Sequence, residues 1–397
     1  MKLSKKAEDI SPSITLAITA KAQELRNSGV DVISFGAGEP DFNTPSNIIE
    51  AAYRAMREGK TKYTATSGIK ELKEEICKKF LKDNGLNYGL DQIIVSTGAK
   101  QCLADAFMAI LNEGDEVIIP TPYWVSYPEL VKIAGGVPVF VEGTVENNYK
   151  YTIEDLENIV TSKSKAIIIN SPNNPTGTIY DKEELLELAK FAERNNIMII
   201  ADEIYEKLIY DGEKHISIAS LTDYAYENSI VINGLSKSAA MTGWRIGYAA
   251  ASSRIIKLMT SIQSHMTSNT SSISQYAAIE ALKNSEDSLN EMVKEFDNRR
   301  KYMIDRLNGI GGLSYILPKG AFYIMVNVSK FYGEKVNGNE IKDSLSFSKE
   351  LLDIEKVAVI PGIGFGLDDY IRLSYATSIK NIEIGIDRIE NFISKMK

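Results

Sequence analysis

Short apolar runs recur along the chain, separated by longer stretches with helical periodicity. Runs at Gln92–Ser96, Glu116–Pro120, Lys165–Asn170, Ile197–Ala201, Ser229–Asn233 and Ile246–Ala251 predict strands. The clearest helix between them is Lys182–Asn195, with Leu185, Leu188, Ala189 and Ala192 on one face and Asp181 and Glu184 as a capping pair at its start. Strands that are apolar throughout, alternating with helices, predict an α/β fold whose mainly parallel sheet is covered on both faces. From about Asn284 the pattern changes. A charged helix through Arg299-Arg300 precedes a strand-like run Ala321–Val328, another helix, and the runs Val357–Ile360 and Tyr370–Ser374. This predicts a separate, smaller α+β domain, with the segment before Asp41 packing on it. The expected divisions are 1–45 for the N-terminal segment, 46–283 for the large domain and 284–397 for the small one.

A chain of 397 residues exceeds what one hydrophobic core organises, in keeping with two domains. Apolar residues at 44% and charged residues at 25% are ordinary globular usage. The net charge of −8 argues against nucleic acid or an anionic membrane as a general partner, and an anionic substrate would need a local cluster of Lys or Arg. Met1 to Pro12 has no apolar stretch of the kind a signal peptide needs, and no run reaches the ~20 residues of a membrane span, so a cytoplasmic location is expected. Cys77 and Cys102 fall in helical patterns without metal or redox spacing and are expected as reduced thiols. With only two histidines, His215 and His265, a zinc site or a Ser-His-Asp triad has little to draw on. No metal is expected, and a proton shuttle other than His is.

In open α/β sheets, ligands bind beyond the carboxyl ends of the strands. There this chain places Ser96-Thr97-Gly98-Ala99-Lys100 entering a helix, then Pro122-Tyr123-Trp124. The next three strand ends carry Asn170 to Gly177, Asp202-Glu203-Ile204-Tyr205, and Ser236-Lys237 with Arg245 eight residues on. A helix N-terminus with small residues can hold a phosphate on backbone N–H groups. Taken singly, Lys237 reads as a surface lysine, Asp202 as a helix cap, Trp124 as core and Ser236 as a turn residue. Their coincidence on one rim is harder to attribute to packing. Together they suit a flat, phosphorylated, nitrogen-containing aromatic aldehyde. Lysine forms an imine with the aldehyde, a carboxylate keeps the ring nitrogen protonated, phenol and amide hold the ring oxygen, and an aromatic stacks on the ring.

In these stretches, and in Gly36-Ala37-Gly38-Glu39-Pro40-Asp41-Phe42, Pro122 to Pro128, Gly234 to Gly247 and Arg372 to Ser378, the sequence resembles the class I, fold-type I pyridoxal-phosphate-dependent aminotransferases over essentially its whole length. It is most similar to their bacterial subgroup Ib aspartate aminotransferases. The resemblance implies a large domain with a mainly parallel seven-stranded sheet plus a smaller α+β domain, pyridoxal 5'-phosphate as cofactor, and a homodimer. It implies Lys237 as the covalent attachment point and proton carrier, Asp202 on the ring nitrogen, Tyr205 and Asn174 on the ring oxygen, and Trp124 stacked on the ring. Ala99, Lys100, Ser236 and Arg245 are implied at the phosphate, joined there by Tyr63 of the other subunit. Arg372 would clamp the substrate α-carboxylate, helped by Asn174, Trp124 and the Gly38 backbone.

Substrate choice is less legible. The stretch Ser264 to Asn269, where many class I enzymes carry an arginine for an acidic side chain, has none. The resemblance assigns that task to Lys100, assisted by Thr15, which makes aspartate and glutamate the expected donors to a 2-oxo acid. Aromatic amino acids or prephenate are the alternative, because lysine is a single mobile charge rather than a planar fork. A lyase on the same fold would share Lys237, Asp202 and Tyr205. A transcription regulator would need an added DNA-binding module, and a nicotinamide dehydrogenase a G-x-G-x-x-G fingerprint. Gly362-Ile363-Gly364-Phe365-Gly366 does not match that fingerprint and is expected as a flexible loop near the substrate.

Overall fold

The computed structural model describes residues 2–396. Met1 and Lys397, the outer limits of the expected terminal divisions, lie outside the described residues. At the centre is a seven-stranded sheet: β1 (Ile93–Ser96), β2 (Glu116–Thr121), β3 (Val137–Glu142), β4 (Ser164–Asn170), β5 (Met198–Asp202), β6 (Ser229–Gly234) and β7 (Gly247–Ala250). The spatial order is β1-β7-β6-β5-β4-β2-β3, with β7 antiparallel to both its neighbours and every other pair parallel. The fold is thus the fold-type I α/β arrangement.

The apolar runs follow from burial on both faces. Ile93, Val95, Ile167, Ile199 and Val231 pack into one helical layer, while Ile94, Val117, Ile168, Ile200 and Ile230 pack into the other. Each strand therefore fills two cores at once, which leaves no polar side to alternate with. The helix Lys182–Asn195 forms at its expected bounds. The Asp181 N–H donates to Glu184 Oε2 and the Glu184 N–H donates to Asp181 Oδ1, both at 2.8 Å. Asn196 ends it in the left-handed region at φ 53°. Cys77 and Cys102 are free thiols on helices.

The registers set the site. Asn170 at the end of β4 lies opposite Asp202 at the end of β5, and Asp202 lies opposite Ile232 of β6. Three strand ends therefore open onto one crevice.

Beyond the sheet, Ser314–Ile316, Tyr323–Asn327, Tyr370–Ser374 and Ile360–Pro361 form an antiparallel four-stranded sheet. Its core includes Phe296, Phe322, Phe347 and Phe392. Ile33–Ser34 pairs in parallel with Val357–Ala358, tying the N-terminal segment to this layer. No helix among the described residues is long and apolar enough to cross a membrane.

Candidate active site

A cavity of about 720 Å³ lies at the carboxyl ends of β4, β5 and β6. It is lined by twelve of the residues singled out from the sequence: Thr15, Gly38, Ala99, Lys100, Trp124, Asn174, Asp202, Tyr205, Ser236, Lys237, Arg245 and Arg372. Tyr63 does not line it; that ring is 90% exposed on the outer surface.

Close approach of glycine backbone shapes one wall. Gly98 precedes the helix Ala99–Ile110 at φ +83°, and a Cβ there would sit 2.4 Å from Arg245 Nη2. A Cβ on Gly247 would lie 2.3 Å from the Ala99 nitrogen. Only glycine at both positions lets the helix N-terminus and the Arg245 guanidinium converge, giving N–H donors and a cation around one point. Arg245 is held by Nη1 donating to the Thr242 carbonyl at 2.9 Å.

Lys237 follows β6 by three residues, and its Nζ donates to the Gly38 carbonyl at 2.5 Å. Burial lowers its amine to about 8; Glu39 opposes this, and the cations Arg372 and Arg245 add to it. Near neutrality a useful fraction is therefore the free amine, the nucleophilic form.

Asp202 is buried and accepts from the Tyr127 hydroxyl at 2.7 Å and the Ile204 N–H at 3.3 Å. Burial raises its carboxyl to about 6, against the lowering effect of those two donors. Among the described residues no Lys or Arg forms an ion pair with it. Arg372 is its opposite: a buried guanidinium with no carboxylate partner among the described residues. Nη1 donates to Asn174 Oδ1 at 3.0 Å and Nη2 to the Gly36 carbonyl at 3.3 Å, while Nε has no partner. Its Cζ lies 4.2 Å from the Tyr323 ring centroid and 5.0 Å from that of Phe365. A buried anion and a buried cation, each without an ion-pair partner among the described residues, face one space.

The remaining walls fix these groups. Asn170 Nδ2 donates to the Asp202 carbonyl at 2.9 Å, and its Oδ1 accepts from the Asn174 N–H at 2.9 Å. The Tyr205 and Tyr323 hydroxyls share a 2.9 Å hydrogen bond. Trp124 meets Tyr127 edge-on, with 5.4 Å between centroids. Lys100 Nζ stands 4.8 Å from the Trp124 ring centroid, and burial, then Arg245, lowers its amine.

Four contributors carried no sequence assignment: Tyr127, Tyr323, Asn170 and Glu39. Tyr127 lies within the Pro122 to Pro128 motif one turn past Trp124, a signal that was there to be read. Tyr323 is 118 residues from Tyr205 and gave none. Gly362–Phe365 forms a 3-10 turn beside the site, with Phe365 fully buried and its ring centroid 5.0 Å from the Arg372 Cζ.

The family model described as "Aminotransferase class I and II" matches residues 30–389. The chain is 53% identical over 395 residues to the aspartate aminotransferase of Bacillus subtilis (strain 168), covering 100% of both chains. It is 47% identical to the probable aspartate/prephenate aminotransferase of Aquifex aeolicus (strain VF5), over 99% of each. Its structure is similar to that of the aspartate aminotransferase from Rhizobium meliloti, with a TM-score of 0.96, 40% identity and 100% of each chain covered.

Proposed function

The chain belongs to the class I and II aminotransferases, and from that premise we propose that it uses pyridoxal 5'-phosphate to move the amino group of aspartate or glutamate to a 2-oxo acid. The observation that carries the reading is the pair of buried, unmatched charges, Asp202 and Arg372, on one cavity with the Lys237 amine. These residues fit the cofactor. A buried carboxylate with no ion-pair partner among the described residues suits a protonated ring nitrogen, and the Gly98–Ala99 helix start with Arg245 suits a phosphate. When bound, the cofactor supplies an aldehyde carbon that exchanges amino groups and a ring that withdraws electrons.

The chain's own residues do the rest. The Lys237 Nζ would hold the cofactor's aldehyde carbon and, as the free amine, would take the proton from the substrate α-carbon. Asp202 stays ionised against the ring nitrogen, held so by Tyr127. Tyr205 and Asn174 would hold the ring oxygen, and Trp124 would stack on the ring. Ala99, Lys100 and Ser236 offer donors to the phosphate beside Arg245. Arg372, stacked between Tyr323 and Phe365, binds the α-carboxylate as a fork, with Asn174 and the Gly38 backbone beside it. Lys100 and Thr15, which line the cavity, would receive the side-chain carboxylate.

Tyr63 is exposed, as are Ile49, Tyr53 and Met56 on the neighbouring helix Ser46–Arg57, and an open groove runs past Thr97, Trp244, Arg245 and Thr270. These support a homodimer in which Tyr63 reaches the other subunit's phosphate. We read the chain as an N-terminal segment 1–45 that packs with the small domain, a large domain 46–283 and a small domain 284–397, supported by a second core around the four-stranded sheet, which also takes in Tyr205, Leu208 and Tyr210. The name of the Aquifex relative favours prephenate as a second acceptor. The test is transfer of the amino group from aspartate, alanine and phenylalanine to 2-oxoglutarate, each with added cofactor. Aspartate is expected to have the highest kcat/KM, and a preference for alanine or phenylalanine would refute acidic specificity.

A further inference from the structure

The turn that carries Asp202 and Tyr205 into the cavity has a second face. Glu203 and Glu206 alternate with them and point away from it, both buried. Two carboxylates there need compensation. Lys79, at the end of the helix Lys70–Lys79, forms an ion pair with Glu206, whose other oxygen accepts from Asn84 Nδ2 at 3.0 Å. Glu203 has no lysine. Its Oε2 lies 3.1 Å from His215 Nε2, an ion-pair distance though not aligned as a hydrogen bond, and the same nitrogen is 4.0 Å from Glu206 Oε2. A cavity the size of one water molecule adjoins Ser171, Glu203 and His215. The phenols of Tyr88 and Tyr248 lie beyond the carboxylates.

We propose that His215 is a positioning residue that carries a positive charge and, with Lys79, balances Glu203 and Glu206, so that the turn from Asp202 to Glu206 holds its place behind the cavity. With His215 charged the four groups sum to zero. With it neutral, one uncompensated negative charge sits next to Asp202 in the chain. Burial pulls the His215 imidazole down, but Glu203 and then Glu206 outweigh it and hold it above its ordinary value. Glu203 also acts directly on Asp202, raising it. A divalent cation on the same three donors is disfavoured, because Lys79 already occupies Glu206. This inference rests on the reading of Asp202 and Tyr205 as the groups that face the cofactor ring.

The test uses imidazole NMR of the full chain, with and without pyridoxal 5'-phosphate. His265 is the only other histidine, so the resonance that survives in H265Q belongs to His215. His215 is expected to remain an imidazolium at pH 7.5. In the cofactor-loaded H215Q variant, the pH midpoint of the colour change should move up by about one unit, the order expected of one lost buried charge. kcat should fall about tenfold with little change in KM, and H215K should restore both midpoint and kcat. A neutral imidazole at pH 7.5 in the wild type, or zinc bound tightly and lost in H215Q, would overturn the proposal. A coloured wild type whose midpoint is unmoved in H215Q would overturn this inference alone. A wild type that stays colourless with added cofactor would overturn the reading beneath it.

Discussion

Replacing Asp202 by asparagine should make the cofactor-free protein more stable and the enzyme nearly inactive. Burial raises the Asp202 carboxyl from its ordinary 3.8 to about 6. A carboxyl that binds its proton more tightly when folded stabilises the fold at low pH and costs stability as pH rises through that window. Two powers of ten in proton affinity correspond to about 3 kcal/mol, present in full above pH ~6 and mostly gone near pH 4. Asparagine removes that cost. It keeps one oxygen for the Tyr127 hydroxyl but sets an amide against the Ile204 N–H, so the expected gain is about 1–3 kcal/mol. Urea unfolding of the cofactor-free wild type and D202N at pH 8 and at pH 4.5 measures it: a clear gain at pH 8 that shrinks at pH 4.5. Once the cofactor is added, the relation should reverse, because the ring nitrogen loses its anion and kcat falls by orders of magnitude. Equal stability at pH 8, or a gain independent of pH, would refute the claim that Asp202 is held as an uncompensated buried carboxyl.

K100A should lower kcat/KM for aspartate by about 1.5–3 kcal/mol and leave phenylalanine nearly unchanged; equal losses would assign Lys100 to the cofactor. The protein should sediment as a dimer, and Y63A should weaken cofactor retention without altering the fold; a fully active monomer contradicts the placement of Tyr63. Because burial brings Lys237 to about 8, capture of pyridoxal 5'-phosphate by the cofactor-free protein should speed up as pH rises from 7 to 9. A rate flat over that range would mean that the amine is already free at pH 7.

Much of this was legible in the chain because local and tertiary demands coincide. The helix Lys182–Asn195 combines an apolar stripe with a capping pair, so its ends are written in the sequence. The strands β4, β5 and β6 are buried on both faces and read as unbroken apolar runs. Edge strand β3 was missed although Val137–Val141 is an apolar run, because Pro138 within it argues against a strand and is tolerated only at a sheet edge. The antiparallel direction of β7 comes from its insertion between β6, the strand before it, and the distant β1, which no local pattern records. In the site, residues just past strand ends were found because the fold collects them on one rim. Tyr323 escaped because it enters from the other sheet, and the burial of Phe365 is hidden among the glycines of Gly362–Gly366.

The account turns on one amine. Incubating the protein with pyridoxal 5'-phosphate, reducing it with borohydride and mapping the modified peptide tests it most directly. The account predicts a yellow protein that bleaches on reduction with the label fixed on Lys237, and a K237A variant that folds, takes no label and loses aminotransfer by several orders of magnitude. A label on another lysine, or a K237A variant turning over within about tenfold of wild type, a difference of only about 1.4 kcal/mol, would contradict it.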